Sequence, residues 1–116
     1  MFKLASANFS GLGLWKRNLI DNLLHGRSLD VLNIQETHLK AGDTWGVKYF
    51  KAYFSDFLVY TSEAAQGDNG AGVATLIRKS PLWKVLQFNV LQQGRLTNTV
   101  MEHREFGIIN VINWYG

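Results

Sequence analysis

The sequence predicts a mixed α/β (α+β) fold that opens β-α-β and continues as antiparallel strands. Three observations predict it. An alternating apolar and polar run from Phe2 to Phe9, an amphipathic stretch, and the short apolar run Val31 to Gln35 follow one another in the order strand, helix, strand. From Phe57 onward, short apolar runs are separated by turn-forming clusters. The second strand also runs straight into a carboxylate, Glu36, at the C-terminal strand end where open α/β sheets place their chemistry.

Each element has its own warrant. Phe2, Leu4 and Ala7-Asn8-Phe9 alternate as a strand whose last residues leave the sheet edge, and Ser10-Gly11-Leu12-Gly13 is a turn. Leu12, Trp15, Leu19 and Leu23, widened by Ile20 and Leu24, have the spacing of a helix lying on a sheet. Gly26 is its stop. Because β-α-β crossovers are right-handed and make their strands parallel, Asn8 and Glu36 are expected on the same rim. The aromatic stretch Lys40 to Asp56 fits either a short helix or a packed loop. Phe57 to Thr61 and Val73 to Arg78, joined by the turn cluster Gln66 to Gly72, form an antiparallel pair. Trp83 to Leu91, Leu96 to Glu102 and Phe106 to Trp114 complete a meander, sharing one sheet or two stacked sheets with the rest.

Size and composition bound what this chain can be. At 116 residues, nearly half of them apolar and including four Trp, four Tyr and seven Phe, it is one core-forming domain at most. The net charge of +3 and pI near 9.3 suit an anionic partner, but Lys and Arg occur without long runs, as on an ordinary solvated surface. The absence of cysteine excludes disulfides and thiolate zinc sites and fits an intracellular setting, nucleus or cytoplasm. No apolar run reaches the roughly 20 residues that span a bilayer.

Glu36 is the leading candidate for chemistry, since a carboxylate at the exposed end of a buried strand is placed to hold a hard cation. Its bland alternative is a strand-end Glu paired with a Lys. Asn8 offers an amide oxygen across the same rim, or caps the following turn. His25 ends the helix, His38 follows Glu36, and His103 falls at a hairpin turn, so all three are expected on the surface, with approach to a bound phosphate as the alternative for His38. Arg95, after Gly94, is expected to be solvated, with contact to a nucleic-acid backbone as the alternative, and Asp68-Asn69-Gly70 to be a hairpin turn, with a loop that senses the DNA groove as the alternative. The aromatics from Trp45 to Phe57 fit core packing, with base stacking as the alternative.

Asn8 with Gly11-Leu12, then Ile34-Gln35-Glu36-Thr37-His38-Leu39, then Gly72-Val73-Ala74-Thr75-Leu76-Ile77, and finally Asn110-Val111-Ile112-Asn113-Trp114-Tyr115-Gly116 occur in that order along the chain. This series resembles the endonuclease/exonuclease/phosphatase family, most closely the endonuclease domains of non-LTR retrotransposons. The resemblance implies a partial four-layer αββα sandwich, with residues 1–116 as its N-terminal half and about one sheet and its helix present. It implies Mg²⁺ (or Mn²⁺) as cofactor and DNA as partner. Glu36 would be the principal metal ligand, Asn8 would orient metal or phosphate, and the Tyr115 hydroxyl would donate to a non-bridging phosphate oxygen; Tyr115 could otherwise be a half-buried strand aromatic.

The family's Asp-x-Asn and Ser-Asp-His motifs are absent from this sequence, so the chain alone is expected to have little or no activity. The function implied is that of a fragment of a metal-dependent, DNA-nicking phosphodiesterase. Two alternatives stand beside it: an inositol-phosphate or lipid phosphatase of the same superfamily, and a non-catalytic remnant or interaction module. A half-sandwich is also expected to self-associate through its uncovered sheet face.

Overall fold

The computed structural model describes residues 2–11, 14–68 and 70–116, with Leu14 and Trp15 described by their backbone only. Leu12, Gly13, Asn69 and the Trp15 side chain, which figured in the expected turns and helix stripe, lie outside the described residues. The chain runs β1 (Leu4–Asn8), α1 (Leu14–Gly26), β2 (Val31–Gln35), α2 (Thr44–Tyr53), β3 (Phe57–Ser62), β4 (Val73–Arg78), β5 (Trp83–Gln92), β6 (Leu96–His103) and β7 (Gly107–Trp114). A four-stranded sheet has the order β1-β2-β4-β3, and a three-stranded sheet has the order β5-β6-β7.

This corrects the expectation of about one sheet and its helix: the described residues form two sheets and two helices. The β1 and β2 strands are parallel, with Asn8 opposite Gln35, while β4 is antiparallel to both β2 and β3. The pleat of the first sheet sorts its side chains cleanly. Leu32, Ile34, Ala74 and Leu76 face a core shared with Ile20, Leu24, Phe50 and Phe54 of the helical layer. Val31 and Ile77 face Met101 and Val111 of the second sheet. Helices, first sheet and second sheet are therefore three successive layers around two cores.

The α1 stripe is centred on Ile20 and Leu24, both fully buried, whereas Leu19 is exposed. The undecided stretch after Lys40 contains α2, whose N-cap Asp43 accepts a hydrogen bond from the Gly46 amide at 2.9 Å. Phe50 and Phe54 turn inward from it, and the Tyr53 hydroxyl donates to Asn18 Oδ1 of α1 at 2.7 Å. Arg78 donates to the carbonyl of Leu24, in the last turn of α1, and to that of Leu29 in the link beyond it, tying β4 to the end of the helix.

His103 corrects the expectation of a surface position. It is buried at the end of β6, where its Nδ1 accepts from the Glu105 and Phe106 amides, and its ring lies among Phe2, Trp83 and Phe106. The antiparallel pairing of β6 with β7 brings the chain back there at Gly107, whose φ of +76° allows the tight return. A cleft of about 550 Å³ beside it, lined by Pro81, Lys84 and Arg104 among others, opens at the strand ends opposite Glu36.

The two sheets are joined by a buried polar seam as well as by apolar contact. Asn33 Nδ2 donates to the Ile112 carbonyl at 3.0 Å, and Thr75 Oγ1 donates to Asn33 Oδ1 at 2.8 Å. Asn113 Nδ2 donates to the Ala74 carbonyl at 2.9 Å, while Gln35 Nε2 donates to Asn113 Oδ1 at 2.7 Å. A second stitch lies at Gly94, whose amide donates to Ser62 Oγ and whose carbonyl accepts from the Gly72 amide. Gly94 has φ +69°, and a Cβ there would sit 2.8 Å from backbone atoms of Glu63 and Ala64.

Replacing Asn113 by Ala should lower stability by about 2–3 kcal/mol, because Gln35 and buried backbone carbonyls lose their partner; urea unfolding at constant m-value checks this. Gly94→Ala should cost about 1–3 kcal/mol from its left-handed backbone alone, with the close contacts adding to it, read by the same unfolding curve.

Candidate metal and phosphate site

Glu36 leaves the end of β2, just beyond its last paired residue, with a left-handed φ of +55°. Ser10 (φ +48°) and His38 (φ +60°) share that region of backbone space, and Ser28 is the remaining non-glycine residue there among those described. Such residues cost of order 1–3 kcal/mol each and persist where surrounding contacts impose them. Here the contacts are specific. The Gly11 amide donates to the Glu36 carbonyl, the Thr37 amide to the Gly72 carbonyl, and the His38 amide to the Ala71 carbonyl.

The carboxylate receives two hydroxyls. Tyr115 Oη donates to Oε1 at 2.7 Å and Ser10 Oγ donates to Oε2 at 2.9 Å. Asn8 Oδ1 accepts from the Ser10 amide at 3.2 Å, and the Asn8 side chain is close enough to Glu36 to help lower its carboxyl. The parallel β1-β2 pairing thus brings Asn8 and Glu36 to one rim, and Asn8 caps its turn there too. Tyr115 arrives from the second sheet, immediately after β7. No lysine forms an ion pair with Glu36 among the described residues.

These hydrogen bonds set the protonation state. The Tyr115 hydroxyl, then the Ser10 hydroxyl, hold the Glu36 carboxyl below the ordinary range, with smaller help from Asn8 and from the charge of His38. The same bond pushes the Tyr115 phenol upward, because ionising it would remove the donor and bring a second negative charge to Glu36. His38 itself is exposed beside Gly11. Lys16 Nζ, from the first turns of α1, donates to the Ser10 carbonyl at 2.7 Å and adds a cation to the rim.

No cluster of three His, Cys, Asp or Glu exists among the described residues. The donors gathered here are hard oxygens: an ionised carboxylate and an amide, with hydroxyls beside them. That set fits Mg²⁺ or Mn²⁺, which take one or two carboxylates and keep several waters. Each carboxylate oxygen retains a lone pair beyond the hydroxyl it accepts.

Three participants were not identified from sequence. Ser10 was read as turn, Asp68 as hairpin and Arg95 as solvated, yet Arg95 forms a paired ion bridge with Asp68, Nε to Oδ2 at 2.8 Å and Nη2 to Oδ1 at 2.9 Å, and lies over the Tyr115 ring. Only Ser10, two residues after Asn8, carries a local signal, since turn hydroxyls commonly seek nearby acceptors.

The two shifts fix the pH behaviour of this rim. Lowered Glu36 contributes stability that is present above the ordinary carboxylate range and lost as pH falls through its lowered value; raised Tyr115 contributes below the ordinary phenol range and loses it as pH rises through its raised value. Tyr115→Phe should therefore flatten the loss of stability between about pH 7 and about pH 3 relative to the parent chain, as measured by chemical denaturation across that range.

No protein-family model matches the sequence, and no curated protein does. Solved structures do. An AP endonuclease, LMAP, from Leishmania major aligns with 98% of this chain and 40% of its own, at TM-score 0.75 and 18% identity. D. rerio TDP2 complexed with single strand DNA product aligns with 96% of this chain and 44% of its own, at TM-score 0.64 and 20% identity. Truncated Caenorhabditis elegans TDP2 aligns with 88% of this chain and 39% of its own, at TM-score 0.54 and 16% identity. The chain spans less than half the length of these neighbours, and at such identities the likeness is one of fold. That fold is the fold of the endonuclease/exonuclease/phosphatase superfamily, to which the AP endonuclease and TDP2 belong.

Proposed function

We propose that residues 1–116 are the N-terminal half of a Mg²⁺-dependent phosphodiesterase, a DNA-nicking endonuclease of the retrotransposon type. The observation that carries this reading is the meeting of Asn8, Glu36 and Tyr115, from three separate strand ends, on one rim. The shared fold supports it, as do the neighbours' descriptions as an AP endonuclease and as a protein with a single strand DNA product. The Gln35-Glu36-Thr37-His38 sequence supports the retrotransposon branch.

In this reading Glu36 is kept ionised at neutral pH by Tyr115 and Ser10, ready to hold a divalent cation. Bound there, the cation would withdraw charge from the scissile phosphate and stabilise the leaving oxygen. Asn8, at the end of the neighbouring parallel strand, offers its side chain to orient metal or phosphate. Tyr115 has a single hydroxyl hydrogen, so it donates either to Glu36 or to a non-bridging phosphate oxygen, and engaging substrate exchanges one acceptor for the other. A neutral donor at that place stabilises the charge that builds on the phosphate in the transition state. Lys16 and the net charge of +3 favour approach of a polyanion.

The test is nicking of supercoiled plasmid by the longest open reading frame that contains residues 1–116. Open circles should form with Mg²⁺ and not with EDTA. Tyr115→Phe should slow the reaction by about 10²-fold, the typical effect of removing one transition-state donor, and Glu36→Gln should slow it at least as much. The 116-residue chain alone should give little product. Phosphate release from inositol phosphates with plasmid left intact would overturn the reading.

A further inference from the structure

Tyr115 is held from several directions at once, and most of the holding traces to Arg95. The backbone comes first: the Tyr115 amide donates to the Arg95 carbonyl at 2.7 Å. The side chain of Arg95 then folds back, placing its guanidinium over the Tyr115 ring, 5.0 Å from the ring centroid. Its Nη1 reaches the carbonyls of Tyr115 and Gly116 at 3.4 Å. The other two guanidinium nitrogens grip the Asp68 carboxylate side by side, at 2.8 and 2.9 Å.

Asp68 is itself fixed by its loop, where its amide donates to the Ala65 carbonyl and its carbonyl accepts from the Ala71 amide. Both charged side chains are about 29% exposed, so the bridge is partly withdrawn from water. The same loop approaches the phenol: a Cβ at Gly70 would lie 4.0 Å from Tyr115 Oη. Turn and loop, distant in sequence, therefore confine the ring whose hydroxyl meets Glu36.

We propose that Arg95, locked in place by Asp68, is the positioning residue that aims the Tyr115 hydroxyl at Glu36 and, on the phosphodiesterase reading above, at the substrate phosphate. A planar fork is needed for the task. One face lies on the ring while the edge engages the carboxylate, and a lysine ammonium, a point charge, cannot do both.

The test reads Tyr115 directly. In protein carrying 13C-labelled tyrosine, the Cζ resonance missing from Tyr115→Phe belongs to Tyr115, and Glu36→Gln should move it by weakening its hydrogen bond. Arg95→Gln should move it in the same direction by at least roughly half as much, since the hydroxyl then loses its strong charge-assisted acceptor. Arg95→Lys should fail to restore it, and in the Glu36→Gln background Arg95→Gln should add little. Asp68→Asn, which keeps the arginine but weakens the paired bridge that locks it, and which lies in a surface loop, should reproduce the effect in a folded protein.

A Tyr115 resonance unmoved by Arg95→Gln or Asp68→Asn while Glu36→Gln shifts it would overturn the proposal. So would an Arg95→Gln shift of equal size in the Glu36→Gln background, which would make it a direct effect of the cation on the ring, or indifference of Tyr115 to Glu36→Gln. None of these readings depends on nicking, so absence of plasmid cleavage would count against the phosphodiesterase assignment and leave the positioning result standing.

Discussion

The whole arrangement depends on how the second sheet is seated on the first, and the buried amide of Asn113 governs that seating. It bonds Gln35 and the Ala74 carbonyl at once, so β7 meets β2 and β4 in a single register. Apolar contact between Val31, Ile77, Met101 and Val111 supplies attraction without direction. A hydrogen-bonded amide supplies direction, because a shift along the strand would leave several buried polar groups unpaired. Two residues beyond Asn113 stands Tyr115, so the seam that registers the sheets also delivers the phenol to the carboxylate.

Beneath the rim, local strain and long-range support are matched. The left-handed backbone at Ser10, Glu36 and His38 would be unfavourable in an isolated peptide. Amide contacts to Gly11, Ala71 and Gly72 hold the latter two residues, and the Ser10 hydroxyl on Glu36 ties the first to the second. The rim is thus a place where the fold spends stability to hold oxygens together. The far strand ends are different in kind: His103 is enclosed by aromatic rings and two backbone amides, and serves the core.

Much of this was legible in the linear sequence, for reasons of periodicity. Alternation and short apolar runs located the strands, and the brief link between α1 and β2 set Asn8 and Glu36 on one rim because crossover geometry leaves little choice. The helix after Lys40 was obscured by aromatic residues on several faces, of which Phe50 and Phe54 turn inward while Trp45 and Tyr49 stack outside. His103 was misplaced because a turn position suggests exposure, and nothing local reveals that Phe2 and Trp83 close over it. The pairing of Arg95 with Asp68 is not legible in sequence because each sits in a turn where a charged side chain is ordinary. Only the three-dimensional approach of the two turns makes them partners.

The bond between Tyr115 and Glu36 joins residues separated by 79 positions, across both sheets. Its two ends come from the early β-α-β unit and from the final strand of the meander, so the contact closes a loop containing most of the chain. Any partly assembled species in which β7 has not docked must therefore present Glu36 without its phenol. Ordering of the acidic centre is in this way made contingent on completion of the sandwich, and a nascent or half-unfolded molecule is denied it.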